Sequence, residues 1–200
     1  MADKNENAGQ HKTSLAVWDL ASPLVIRRSA RMKVGAKCTA GCQLTGQEIE
    51  IHDQTGATIA RALLGATPWP GTSGLYWSEL DFRAPATVGT HTWAVTSAHG
   101  DAFSNFTFIA VHPPDHSLTI RVLEKVTQSP LPNVEVRLGV YRASSDDRGL
   151  AKIELPKGNY PLNVWKVGYQ HFSAVLDVVD SLTVDVEIAV ESEPPQPYWM

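Results

Sequence analysis

The sequence of 200 residues has little cysteine, no long apolar run and no sustained helical periodicity. No apolar stretch approaches the roughly 18 residues that a membrane-spanning helix requires. A helical apolar period never persists beyond a brief segment, so we expect a low helix content. Strand-forming residues, together with 14 Gly and 13 Pro, predict many short strands that are joined by tight turns.

An excess of one charge is also missing. The 17 Lys and Arg residues are scattered and stand against 21 Asp and Glu residues, which gives a net charge of −4. Nucleic acids and anionic membranes attract clustered Lys and Arg, so we expect neither as a partner. The polar segment 1–13 predicts a disordered tail. It lacks the apolar stretch of a signal peptide, so we expect a cytoplasmic protein.

Common enzyme motifs are absent. The sequence contains no Gly-x-Ser-x-Gly elbow, no His-Glu-x-x-His, no phosphate-binding Gly loop and no dinucleotide fingerprint. The seven histidines are widely spread, so a nucleophilic cysteine would find a histidine only through the fold. We therefore predict a protein that is not an enzyme and has no catalytic residue, no cofactor and no metal site.

Two cysteines, Cys38 and Cys42, flank Gly41 in a Cys-x3-Cys pair. With His52 they resemble part of a zinc site, but structural zinc needs four ligands and no second close pair is present. A local disulfide is sterically possible, although it would not persist in a reducing cytosol. The interpretation that we favour is two reduced cysteines beside a strand turn.

Residues 14–113 alternate apolar and polar side chains in about seven strands at 8–15-residue spacing. Asp53-Gln-Thr-Gly56 predicts a hairpin loop with glycine in the left-handed conformation. This pattern is typical of an immunoglobulin-like sandwich. The segment 84–95, with a Pro-bearing turn before a strand that carries Trp93, resembles the penultimate strands of bacterial immunoglobulin-like domains. His112-Pro-Pro-Asp-His116 predicts the joint to a second domain.

Residues 117–190 predict a second all-β domain. It opens with the strand 118–123, passes a turn with Pro130 and Pro132, and continues with strands at 134–138, 151–155 and 160–166. This order, with Lys-Gly-x-Tyr and a Gly-Tyr dipeptide, resembles the carboxypeptidase regulatory-like family, a transthyretin-like β-sandwich. The resemblance implies an add-on module without chemistry of its own. We predict two tandem antiparallel β-sandwiches.

The start of this second domain, 118–136, also resembles transthyretin-like 5-hydroxyisourate hydrolases, in which a catalytic His is followed by a Pro-bearing turn. The aligned position here is Arg121, which stays protonated and cannot act as a general base. That family ends in Tyr-Arg-Gly-Ser, whereas this chain has Tyr198-Trp-Met200. The resemblance to the hydrolase therefore implies the fold only.

Aromatic residues supply the candidate contacts. Trp69 lies in the loop 68–74 beside Pro and Gly, where it could stack on a carbohydrate or anchor a protein partner. For Trp77, Trp93 and Trp165 we expect core packing. Adjacent aspartates in Ser145-Asp-Asp147 predict a turn rather than a calcium loop.

The Pro-rich segment 191–200 predicts an extended tail. It ends in Tyr198, Trp199 and Met200, which we predict to bind a partner together with Trp69. The alternative is that the tail covers its own sandwich. These features predict a non-enzymatic accessory or structural subunit of a larger assembly, with a small-ligand or carbohydrate-binding module as the alternative.

Overall fold

A computed structural model describes residues 12–98 and 102–191. Those residues form strands and turns without any helix, so none of them belongs to a helix that could cross a membrane. The chain divides into two compact units between Val111 and His112. The predicted all-β fold is confirmed.

Unit 1 is a sandwich of two sheets. Its strands, in chain order, are β1 (Thr13–Trp18), β2 (Leu24–Val25), β3 (Ser29–Cys38), β4 (Glu48–His52), β5 (Thr58–Leu63), β6 (Tyr76–Arg83), β7 (Gly89–Ser97) and β8 (Phe103–Val111). One sheet has the order β1-β3-β6, and the other has the order β2-β8-β7-β4-β5. Because β1 already includes Thr13, the predicted disordered tail over 1–13 is too long at its end, and residues 1–11 lie outside the described part.

The core of unit 1 follows the alternation of its strands. Met32 and Val34 of β3 point inward and are fully buried. Trp93 of β7 packs edge-on against Phe82 and Phe108, with ring centroids 5.5 and 4.9 Å apart. The predicted core position of Trp93 is therefore confirmed.

Unit 2 is also a sandwich of two sheets. Its strands are β9 (His116–Glu124), β10 (Glu135–Leu138), β11 (Tyr141–Ser144), β12 (Leu150–Leu155), β13 (Gly158–Trp165), β14 (Phe172–Val178) and β15 (Leu182–Ile188). The sheet orders are β11-β10-β13-β14 and β12-β9-β15. Apolar side chains of all seven strands meet between the two sheets. Here β9 contributes Leu118, Ile120 and Val122, all fully buried.

Two strand pairs depart from the predicted antiparallel arrangement. The pairs β2–β8 and β9–β15 are parallel, whereas the other paired strands named above are antiparallel. In unit 2, β15 follows β14 of the opposite sheet and joins β9 by crossing between the sheets. A parallel pair requires such a crossover, because a hairpin can join antiparallel strands only.

The turn before β12 is fixed by Asp146 and Gly149. The Asp146 Oδ1 atom accepts hydrogen bonds from the N–H groups of Arg148 and Leu150, each at 2.9 Å. Gly149 has a φ of 74°, and a Cβ atom there would lie 2.6 Å from the Val122 carbonyl oxygen. The aspartate thus satisfies backbone amides, which confirms the predicted turn.

Candidate partner-binding faces

The first candidate face carries Trp69, the loop residue predicted to bind a partner. It lies on the outward side of the sheet β1-β3-β6, because the alternate residues of β3 fill the core. Trp18 of β1 is opposite Lys33 of β3, and Trp77 of β6 is opposite Gly35. We call Trp18, Lys33, Trp69 and Trp77 the tryptophan cluster.

Trp69 stands edge-on between two other indole rings. Its centroid lies 5.2 Å from that of Trp18 and 4.8 Å from that of Trp77, with interplanar angles of 83° and 85°. The Lys33 Nζ atom lies 5.0 Å from the Trp69 centroid, within reach of a cation–π contact. A Cβ atom at position 35 would lie 3.0 Å from the Trp18 ring. Gly35 therefore lets that ring lie directly on the sheet.

The backbone holds the Trp69 loop in place. The Trp69 N–H donates to the Leu75 carbonyl at 2.7 Å, and the Thr72 hydroxyl donates to the Trp69 carbonyl at 2.6 Å. Trp69 is half-buried rather than fully exposed. The Trp18 and Trp77 rings and the Lys33 ammonium group surround its indole, and its role in partner binding stays a prediction.

The charges beside the tryptophan cluster are paired. Arg31 Nε donates to Asp81 Oδ1 at 2.8 Å, and its Nη1 lies 3.0 Å from Glu79 Oε1. The hydrogen bond from Arg31 lowers the pKa of the Asp81 carboxyl. Lys33 donates to the Asp19 carboxylate at 2.6 Å. The rings of the tryptophan cluster, Arg31 and Lys33 therefore have their partners within the chain.

The second candidate face is the outward side of the sheet β11-β10-β13-β14. Across the strands, Arg137 of β10 is opposite both Arg142 of β11 and Asn163 of β13. A hollow of about 400 Å³ lies here, lined by Arg137, Gly139, Pro161, Asn163, Trp165 and His171. We call the surface formed by Arg137, Arg142, Asn163, Trp165 and His171 the arginine face.

Trp165 corrects a sequence-based expectation. We predicted it in the core, but it is 38% exposed on the arginine face. Leu162 and Val164 of the same strand are fully buried, and a strand turns successive side chains to opposite sides. Trp77 was also predicted in the core, and that prediction is wrong for the same reason, since its neighbour Tyr76 takes the inward position.

Two arginines directly opposite each other repel, which disfavours the pairing of their strands. Arg137 Nε donates to the Gly139 carbonyl at 3.0 Å. Among the described residues, no carboxylate lies within ion-pair distance of Arg137 or Arg142, although Glu135 is on the same face, opposite Trp165. Two guanidinium groups and a flat indole are thus available for a ligand that carries a carboxylate.

Arg121 bears on the hydrolase resemblance. It lies on β9 opposite Asp185 of β15, and its Nε donates to the Asp185 carboxylate at 2.8 Å. This hydrogen bond lowers the pKa of Asp185 and raises the pKa of Arg121 above its ordinary value. A permanently charged, ion-paired group therefore occupies the position at which the hydrolase family has its catalytic His.

The structure describes Cys38, Cys42 and His52, the disfavoured zinc ligands, but not the predicted tail site. Within residues 12–98 and 102–191, no three His, Cys, Asp or Glu side chains are grouped so as to hold a metal ion. The predicted partner-binding residues Tyr198, Trp199 and Met200 lie outside the described residues. Arg137, Arg142, Asn163 and His171 could not be recognised from the sequence as parts of one surface, because their association depends on strand register.

No protein-family model and no curated protein sequence matches the chain. Similar solved structures include a type II cohesin–X-dockerin complex from Acetivibrio cellulolyticus, with 14% identity over 38% of this chain and a TM-score of 0.32. The chain spans 58% of that structure's length.

Two further similar structures are a pilin subunit and a CARDB domain. The major pilin subunit of Bacillus cereus is 10% identical over 91% of this chain and 71% of its own, with a TM-score of 0.32. A CARDB domain of Pyrococcus furiosus, described with two metal ions, is 12% identical over 51% of this chain and 93% of its own, with a TM-score of 0.35. The fold class of this chain rests on its own strands, and these likenesses transfer no ligand, metal or partner.

Proposed function

We propose that this protein is a non-enzymatic accessory or structural subunit that binds a larger protein or assembly through the arginine face. The observation that carries the proposal is the cross-strand pair Arg137 and Arg142, of which Arg137 lines the same hollow as the exposed Trp165. Tryptophan and arginine are the residues that most often dominate binding energy in protein interfaces. The unfavourable arginine pairing would be relieved by an anionic partner.

The chemistry of the face specifies the kind of partner. A guanidinium group binds a carboxylate through two parallel hydrogen bonds. The indole of Trp165 and the ring of Pro161 offer apolar surface at the same hollow. The partner that fits is therefore a protein segment with Asp or Glu next to an apolar side chain.

A matched pair of charge reversals tests this proposal. Arg142→Glu changes the arginine face, whereas Lys152→Glu makes the same charge change on β12 of the other sheet, where Lys152 is also exposed. The tagged proteins would be purified from the native host and their co-purifying chains quantified. We expect Arg142→Glu to lose a stoichiometric partner that both wild type and Lys152→Glu retain.

Two results would overturn the proposal. One is a partner that is retained equally by all three proteins, which would place the interface elsewhere. The other is a strictly monomeric wild-type protein without any co-purifying chain, which would remove the subunit role itself. Circular dichroism of each variant, compared with wild type, controls for misfolding.

The sequence-based contacts define a second surface in the same proposal. Trp69→Ala tests the tryptophan cluster, and deletion of 194–200 tests the tail with Tyr198, Trp199 and Met200. Loss of the partner in either variant, with the arginine face dispensable, would assign binding to that surface instead.

We also propose, from the resemblance of its sequence, that unit 2 belongs to the carboxypeptidase regulatory-like family. A cytoplasmic location in a bacterium is likewise a proposal, and cell fractionation tests it. The alternative of a carbohydrate-binding module is supported by the exposed indole of Trp165 beside the Asn163 amide, and binding to a glycan array would favour it. Turnover of 5-hydroxyisourate would favour a hydrolase, against which the Arg121–Asp185 pair stands.

A further inference from the structure

We propose that Cys38 and Cys42 are an oxidation site at which a reversible intramolecular disulfide forms. Their Sγ atoms lie 2.9 Å apart. A disulfide bond is about 2.05 Å long, so the two sulfurs need to approach by less than about 1 Å. This inference is independent of the arginine face and of the proposed function.

The local backbone brings the two thiols together. Cys38 is the last residue of β3 and pairs with Thr13 of β1. The chain then turns back, since the Gly41 N–H donates to the Cys38 carbonyl at 3.1 Å and Gly41 has a φ of 72°. A residue with a side chain rarely adopts that conformation. The turn therefore holds Cys42 over Cys38 before any bond forms.

Burial sets the order of the chemical steps. Cys38 is 3% exposed, whereas Cys42 is only half-buried at the edge of the unit 1 core. A soluble disulfide such as oxidised glutathione can therefore reach Cys42 first. The hydrogen bond with Cys38, with burial as a second cause, raises the pKa of the Cys42 thiol. Because the thiolate is the nucleophile, the reaction should accelerate as the pH rises.

The disulfide forms in two thiol–disulfide exchange steps. The Cys42 thiol loses its proton, and the thiolate attacks one sulfur of oxidised glutathione, which releases one glutathione thiolate. Cys38 then loses its proton and attacks the Cys42 sulfur, which releases the second glutathione. The two cysteines are oxidised to one disulfide, and one molecule of glutathione disulfide is reduced to two thiols.

The consequence is a bond whose state follows the redox poise of the surroundings. In a reducing compartment the pair stays a dithiol, as the sequence analysis favours, and in an oxidising one it closes. The closed form ties the end of β3 to the turn that leads towards β4. We expect the oxidised protein to unfold at a higher temperature than the reduced protein.

The test uses the full chain, oxidised glutathione and intact-mass spectrometry after alkylation of remaining thiols. The proposal predicts that the folded wild type loses two hydrogen atoms, takes up no alkylating agent and returns to the dithiol with dithiothreitol. Cys38→Ser and Cys42→Ser should never lose two hydrogens. The decisive comparison uses wild type alone, folded in buffer and unfolded in urea. It therefore does not depend on whether the two cysteine variants fold.

Both samples are equilibrated at one fixed ratio of reduced to oxidised glutathione. The equilibrium constant for disulfide formation, obtained from the fraction of oxidised protein, should be about tenfold or more larger in the folded than in the unfolded chain. An equal or smaller constant in the folded protein would refute the proposal. Folded protein that keeps two alkylatable thiols, or that carries only mixed disulfides with glutathione, would refute it too.

Discussion

The outward faces of the two sandwiches differ in how their aromatic rings and charges are satisfied. In unit 1, Trp69 is held edge-on between two indole rings, and Arg31 is paired with two carboxylates. In unit 2, Arg137 stands opposite Arg142, and Trp165 is exposed beside a hollow. On the first sheet the tryptophan rings and Arg31 have partners within the chain, whereas on the second sheet Arg137 and Arg142 have no ion pair among the described residues.

The comparison shows that the role of a tryptophan on a sheet surface can be inferred only together with its neighbours. The indole of Trp69 has found its contacts within the chain, which is a stabilising role. The indole of Trp165 lines a hollow together with Arg137, whose guanidinium group has no ion pair among the described residues. We therefore expect the tryptophan cluster chiefly to stabilise unit 1, and the arginine face is the proposed binding surface.

The largest expected effect is on the stability of unit 1. Trp69→Ala removes two ring contacts and should lower the free energy of unfolding by about 2–3 kcal/mol. The matched change Trp165→Ala should lower it by less than about 1 kcal/mol, because that ring is exposed. Chemical denaturation followed by circular dichroism measures both values, and equal losses would erase the contrast between the faces.

A smaller effect is expected from Gly35→Ala. The added methyl group would press on the Trp18 ring and should cost about 1–2 kcal/mol of folding free energy. In a Trp18→Ala background the same substitution should cost less, because only the contact with Leu75 Cδ1 at 3.1 Å then remains. A cost that is the same in both backgrounds would show that the glycine is needed for another reason.

Removing one positive charge should have opposite signs on the two faces. Arg142→Gln relieves the cross-strand repulsion with Arg137 and should stabilise unit 2 by about 0.3 kcal/mol. Arg31→Gln breaks the contacts with Asp81 and Glu79 and should destabilise unit 1. The midpoints of denaturant unfolding decide the matter, and a destabilising Arg142→Gln would contradict the account of an unrelieved pair.

The smallest expected effect concerns the fall in folding stability at acid pH. The hydrogen bond from the Thr55 hydroxyl, followed by those from backbone amides, lowers the pKa of Asp53 in unit 1, and backbone amides lower that of Asp146 in unit 2. A carboxyl whose pKa is lower when folded stabilises the protein above its unfolded pKa of about 4 and loses that contribution as the pH falls through the folded value. Asp53→Asn and Asp146→Asn should each flatten the fall in stability between about pH 5 and 2. A fall as steep as that of wild type would show that the carboxylate is not linked to folding.

Sequence alone predicts the fold better than the site, for a physical reason. Alternation along a strand reveals which side chains point inward, as for Met32 and Val34. The same alternation in Leu162, Val164 and Trp165 places the tryptophan outward. The sequence therefore indicated the outward position, although the large side chain of Trp165 suggested the core. The hairpin at Asp53 followed from local turn chemistry.

Contacts between strands depend on register, which local sequence does not determine. Arg137 and Arg142 are opposite only because the hairpin β10–β11 turns at Gly139 and Val140. The parallel pairing of β9 with β15 depends on the path of the whole second unit. The separation of the Cys38 and Cys42 sulfurs likewise depends on the turn at Gly41, and the Cys-x3-Cys spacing leaves it open.

Site-specific photo-crosslinking in the native host tests most directly whether the arginine face binds a partner. The photoreactive residue p-benzoylphenylalanine would replace Trp165 on the arginine face, Trp69 in the tryptophan cluster or the exposed Phe103 of unit 1 as a matched aromatic control. The account predicts a discrete crosslinked partner from position 165 and none above background from 103. A partner captured from 69 or 103 but not from 165 would contradict it.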